Sequence, residues 1–98
     1  MVAVAEVNKN DTVLEIGSGR GILTVELLTT GARVIAVEKD IKFFNFLKQR
    51  LVNFVRSKRL VLVNADIRDL LKAASFKLKA NKVVANIPYY LTGRLLRL

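Results

Sequence analysis

Three groups of residues in this chain have types and spacings suited to chemistry. They are the tetrapeptide Asn86-Ile87-Pro88-Tyr89, the glycine-rich segment Gly17-Ser18-Gly19-Arg20-Gly21, and isolated carboxylates at Glu15, Glu38 and Asp66. In the tetrapeptide, the Asn86 amide oxygen and a nearby backbone carbonyl can accept hydrogen bonds from an amino group. Pro88 stiffens the turn, and the Tyr89 ring offers a stacking surface. Together they describe a site for a planar base bearing an exocyclic amine. A strand-terminating Asn-x-Pro turn with a core tyrosine would use the same residues without any ligand.

Three alternating glycines after an apolar run make a turn without side-chain bulk. Backbone N–H groups and a helix N-terminus can then approach a ligand closely. A tight strand-to-helix turn is the plainer reading. Dinucleotide-binding loops follow G-x-G-x-x-G/A, and here Ile22 holds the final position, so that fingerprint fails by one place. Glu38 follows a second apolar run, where a carboxylate can accept hydrogen bonds from both ribose hydroxyls. The alternative, a negative charge at the start of the next helix, is a role Asp40 already fills. Asp66 is placed to accept from an amine such as adenine N6, or to cap a helix starting at Ile67. Glu15 either braces the glycine loop or faces a cofactor's amino-acid end, because a buried carboxylate without partners is costly.

The elements that must position these groups are legible in outline. Thr12–Ile16, Ala32–Val37, Leu60–Asn64 and Asn81–Asn86 are short apolar, largely β-branched runs, as expected of strands buried on both faces. The spacing predicts a short helix from Ile22 to Thr30, with Gly31 ending it. A long amphipathic helix is expected after Asp40, with Ile41, Phe44, Leu47, Leu51, Phe54 and Val55 on its apolar face, and a shorter one from Ile67 to Ala74. Strands alternating with helices imply an α/β fold with a doubly wound parallel sheet and right-handed crossovers. Ligands in such sheets bind beyond the carboxyl ends of the strands, where Glu15, Gly17, Glu38, Asp66 and Asn86 all fall.

Composition narrows the chemistry further. With 98 residues, 52% hydrophobic, one domain is expected. No cysteine or histidine is present, which removes disulfides, thiolate metal sites and the commonest general base. No apolar run approaches the roughly 18 residues of a membrane span, so the chain reads as cytoplasmic. The 17 Lys+Arg against 8 Asp+Glu give a net charge of +9, which points to a polyanionic partner. Lys42, Lys48, Arg50, Arg56, Lys58 and Arg59 follow one another with no acid among them.

E-I-G-S-G-R-G at 15–21, V-E-K-D at 37–40, N-A-D at 64–66 and N-I-P-Y at 86–89, in that order and spacing, resemble the ribosomal RNA adenine N6-dimethyltransferases. That family also includes the erythromycin-resistance methyltransferases. The likeness runs from about Asp11 to the last residue, and V-V-A-N-I-P-Y-Y-L-T-G is particularly similar to the bacterial small-subunit dimethyladenosine enzymes. The resemblance implies a Rossmann-like class I methyltransferase core with about four parallel strands, ordered 3-2-1-4, and helices on both faces. It implies S-adenosylmethionine as cofactor, with Gly17, Gly19 and Gly21 around its methionine part, Glu38 on its ribose and Asp66 on its adenine amine. Glu15, Ser18, Lys39, Ile67 and Asn86 would line the same pocket. Asn86, Ile87 and Pro88 would hold the target N6 while Tyr89 stacks on the base, so that catalysis is mainly positioning for in-line transfer. No metal is implied.

The implied partner is RNA, in the first instance small-subunit ribosomal RNA. Related Asn-Pro-Pro-Tyr sites serve DNA adenine and protein glutamine methylation, and Ile87 argues for the RNA group. A folded piece that binds only cofactor or RNA is the non-catalytic alternative. Members of the family carry a segment ahead of the first strand, three further strands, a second clamping aromatic and a C-terminal helical domain. The expectation is therefore a single incomplete domain over 1–98, whose exposed sheet edge invites self-association.

Overall fold

The structure, a computed structural model, describes residues 4–72 and 80–85, with side chains through 70 in the first stretch. Asn86, Ile87, Pro88 and Tyr89 lie outside the described residues. A short 3₁₀ turn at Val4–Glu6 precedes β1 (Thr12–Ile16), α1 (Ile22–Thr29), β2 (Arg33–Val37), α2 (Ile41–Arg50), α3 (Val52–Arg56), β3 (Leu60–Val63), α4 (Ile67–Lys72) and β4 (Lys82–Ala85). All pairings are parallel and the sheet order is β3-β2-β1-β4, as expected. The chain moves outward from β1 through β2 to β3, then returns to β1's other side. The reversal puts a crevice at the carboxyl end of β1.

Register decides where the chemistry goes. Ile16 pairs with both Val37 and Ala85, and Val37 pairs with Val63, so all four strands end at one level. Alternating side chains feed two apolar layers. Val13, Val34, Ala36, Leu60 and Val84 pack with Leu27 and Leu28 of α1, Leu47 of α2 and Leu51. Leu14, Ile16 and Val37 face the other way and meet Ile67 of α4. Helices thus cover both faces, with α1, α2 and α3 on one and α4 on the other. Among the described residues, no helix is long and apolar enough to cross a membrane.

The long helix expected after Asp40 is two helices. At Leu51, φ −111° and ψ 30° leave the helical region between α2 and α3. Leu47 and Leu51 are both buried, and Phe54 and Val55 pack against the same cluster, so the apolar period continues across the bend and conceals it. The bend allows the chain to reach β3 within a few residues. Asp40 does cap α2, its side chain accepting from the Lys42 N–H at 2.8 Å. Gly31, at φ 91°, follows the cap residue Thr30 and donates to the Leu28 carbonyl.

Arg59 departs from the expected basic surface. One of its guanidinium nitrogens donates to the carbonyls of Leu28 at 2.6 Å and Ala32 at 3.0 Å, satisfying the turn after α1. The same guanidinium lies 5.3 Å from the Phe54 ring centroid.

At the amino ends of the strands, Asp11 ties β1 to β4. Its carboxylate accepts from the Asn8 N–H, the Asn81 amide and the Lys82 ammonium, each at 2.8 Å. The bonds from Lys82, then Asn81, then Asn8 hold the Asp11 carboxyl at about 2 against an ordinary 3.8. The folded state therefore binds this proton more weakly than the unfolded chain. The stability it contributes is present above about pH 4 and is lost as pH falls towards 2. We expect the urea midpoint to fall over that window, and Asp11→Asn to flatten part of the slope. A slope unchanged by the substitution would refute this role for the carboxyl.

Candidate functional site

The site is built from the loops that leave β1, β2 and β3. Gly17 continues the ladder, donating to the Val37 carbonyl at 2.9 Å. The next glycines have separate jobs. Gly21 begins α1 at φ 88°, and a Cβ there would lie 2.5 Å from Leu47 Cδ2, so its bareness lets α1 settle against α2. Gly19, at φ 54°, has none of the described residues beyond its chain neighbours within 4 Å of where a Cβ would be. Its open side is space that a ligand can enter. The Gly19 N–H donates to Glu38 Oε1 at 2.7 Å.

Glu38 is buried, and it connects two loops. Its Oε2 accepts from the Asp40 N–H at 2.9 Å, just ahead of α2. Its own N–H donates to the Val63 carbonyl, which places it directly off the β2 end. Asn64 supports the same turn: its amide donates to the carbonyls of Glu38 at 2.9 Å and Lys39 at 3.2 Å. Sequence reasoning places Asn64 in the N-A-D motif but gives it no task. An amide just past a strand end is the signal that could have found it.

Glu15 braces the loop from below. It is fully buried, and the Thr24 hydroxyl on α1 donates to its Oε1 in a short hydrogen bond. Thr24, also fully buried, is a second residue that sequence reasoning missed. Burial pushes the Glu15 carboxyl up from its ordinary value, and the Thr24 and Ser18 hydroxyls pull it partly back. Among the described residues, Glu15 Oε2 and the buried Ser18 Oγ have no hydrogen-bond partner of ordinary geometry.

Asp66 serves as a helix cap. Its Oδ1 accepts from the Arg68 N–H at 2.9 Å, and Arg68 Nη2 meets Oδ2 at 2.8 Å. The Arg68 side chain, then its backbone N–H, holds this carboxyl at about 2. Ile67 packs its side chain among Leu14, Ile16 and Val37, while Lys39 is exposed. The carboxyl edge of the sheet therefore brings together Glu15, Gly17, Ser18, Gly19, Gly21, Glu38, Lys39, Asp66 and Ile67. The tetrapeptide 86–89 comes next in sequence after Ala85, which pairs with Ile16 just ahead of the glycine loop. Among the described residues, no group of three or more His, Cys, Asp or Glu could hold a metal ion.

A four-stranded parallel sheet in this order, with a glycine-rich turn after β1 and a buried acid after β2, is a Rossmann-like fold, and solved structures that share it are methyltransferases. The profile of the family described as ribosomal RNA adenine dimethylase matches residues 1–97, and the chain belongs to that family. It is 46% identical over 96 residues to the ribosomal RNA small subunit methyltransferase A of Thermosynechococcus vestitus, covering 98% of this chain and 34% of that relative. The chain spans about a third of the length of the curated relatives it matches. Among solved structures, the 23S rRNA methyltransferase ErmE superposes with a TM-score of 0.71 at 29% identity, over 95% of this chain and 35% of that one. An RNA methyltransferase from Salinibacter ruber in complex with S-adenosyl-L-homocysteine shares the fold, with a TM-score of 0.74 at 20% identity over 96% of this chain and 59% of that one.

The separate tasks of the two glycines lead to a stability ranking. Gly21→Ala combines left-handed strain with a clash against buried Leu47, and should destabilise by about 3 kcal/mol. Gly19→Ala carries only the strain, about 1 kcal/mol. Thermal and urea unfolding of both variants would check the order, and equal losses would refute the packing role of Gly21. Glu15→Gln keeps an oxygen to accept from Thr24 and removes a carboxyl whose charged form burial disfavours, so it should be near neutral in stability. Glu15→Ala should cost about 1–3 kcal/mol by orphaning the Thr24 hydroxyl.

Proposed function

We propose that this chain carries the cofactor-binding part of an S-adenosylmethionine-dependent enzyme that methylates N6 of adenine in ribosomal RNA, with dimethylation as the expected outcome. The observation that carries this reading is the buried Glu38 carboxylate, bonded to the Gly19 N–H beside the open side of that glycine. Membership of the ribosomal RNA adenine dimethylase family supports the substrate class. The net charge of +9 suits a polyanionic substrate.

The residues fit the cofactor. Each Glu38 oxygen takes one backbone N–H, which leaves acceptor capacity for two ribose hydroxyls. Gly17, Ser18 and Gly19 would border the methionine portion, with Glu15 bracing the loop beneath. Asp66, Ile67 and Lys39 would meet the adenine end, Asp66 through what its bonds to Arg68 leave free. When bound, the cofactor supplies an electrophilic methyl group on a sulfonium. The chain's own contribution is positioning. Asn86 and the Ile87–Pro88 backbone would accept hydrogen bonds from the target amine, keeping its lone pair directed at the methyl. Tyr89 would stack on the base, and no histidine is required.

Isothermal titration with S-adenosylmethionine tests the cofactor assignment. Glu38→Ala should weaken binding at least tenfold, about 1.4 kcal/mol. Circular dichroism on the same sample checks that the loops it ties remain folded. Wild-type affinity in a folded Glu38→Ala protein would sink the ribose assignment. Tritiated methyl transfer to small-subunit ribosomal RNA reads the reaction itself, and Asn86→Ala should reduce it about a hundredfold.

A further inference from the structure

One surface feature is not used by the cofactor site. On the outer side of the glycine loop, α1 and α2 enclose an open groove of about 910 Å³. Ile22, Phe43 and Phe46 line it together with Arg20, Lys42 and Arg50. Ile22 is 73% exposed and Phe46 42% exposed, unusual for large apolar side chains at the start of one helix and the middle of another. Arg50 holds its guanidinium 5.8 Å from the Phe46 ring centroid. Among the described residues, Glu26 is the single acid lining the groove, against three cations.

We propose that this groove is a docking surface for unpaired RNA, with a base against Phe46 and Ile22 and phosphates on Arg20, Lys42 and Arg50. The combination of chemistries selects the partner. An exposed ring beside guanidinium and ammonium groups offers a base a stacking face and the adjoining phosphate a counter-charge. A purely apolar partner would gain nothing from the cations. A second copy of this chain would bring its own three cations against these, a like-charge contact that disfavours association. The groove is also separate from the structural cation Arg59, which is occupied by two carbonyls. Because Arg20 and Gly21 belong to the cofactor loop, RNA held here lies beside the mouth of the proposed site. The inference rests on the RNA reading above and adds to it the surface that would grip the strand.

Fluorescence anisotropy with a short, unstructured, fluorescein-labelled oligoribonucleotide, repeated across a salt series, tests it. Lys42→Gln/Arg50→Gln should weaken binding and lower the slope of log affinity against log salt by roughly 1.4, the amount for two lost single-strand phosphate contacts. Phe46→Ala should weaken binding roughly fivefold or more with little change in slope. S-adenosylmethionine titrations on the same proteins should match the wild type, showing that the fold and cofactor loop are intact. Wild-type affinity and slope in both variants would overturn the proposal. So would a wild-type dimer in sedimentation that Phe46→Ala dissolves, since the groove would then be a self-association surface. Absent methyl transfer with these RNA effects intact would count against the proposed reaction and leave the groove standing.

Discussion

A buried carboxylate must be hydrogen-bonded or it destabilises the fold, and the arrangement around Glu38 follows from that requirement. Its two oxygens accept from Gly19 and Asp40, N–H groups that belong to the loops leaving β1 and β2. Neither loop can move away without stranding a charge. Asp40 lies just before α2, so the positive end of that helix also faces the carboxylate. Asn64 adds support from the β3 end by holding the Glu38 and Lys39 carbonyls. Three successive strand ends are therefore joined by one acid and one amide.

The glycine loop can meet Glu38 because its residues divide the demands placed on it. Gly21 gives up a side chain for helix packing against Leu47, and Gly19 gives one up on its open side while its N–H turns towards the acid. Ser18 and Glu15 stay buried beneath. A loop with one glycine could satisfy the turn. It could not also satisfy α2 and leave a free approach, which is a physical reason for three alternating glycines where a simple turn needs fewer.

Strand number and the placement of Glu38 were legible because buried parallel strands read as apolar runs and the chain punctuates them with glycine and acidic residues, whereas the strand order followed from the family resemblance. Boundaries shifted by a residue, as at Leu60–Val63, where Asn64 left the strand to hold two carbonyls. The bend at Leu51 was not legible, because an apolar period tracks which residues face the core and is blind to a change of axis that keeps them there. Arg59 read as one more surface cation, since charge in sequence says nothing about whether a carbonyl lies within reach. For Asp66, both roles were open in sequence, and the cap is the one the geometry displays.

Counting acceptor sites separates Asp11, Asp66 and Glu38; the fourth strand-end carboxylate, Glu15, accepts the Thr24 hydroxyl and lies beneath the loop as its brace. An ionised carboxylate offers about four lone-pair positions. Asp11 takes donors from Asn8, Asn81 and Lys82, all within the protein, so it functions as a staple across the amino ends of β1 and β4. Asp66 also takes three, the Arg68 backbone N–H together with Nε and Nη2 of the same residue, and has as little capacity left. Among the described residues, Glu38 takes two, one on each oxygen, although it is buried like Asp11. A buried acceptor that is half used and borders open space retains the capacity to bind something the chain does not supply. Both ends of this sheet carry carboxylates; on the carboxyl side, Glu38 combines such capacity with the open side of Gly19 in the adjoining loop.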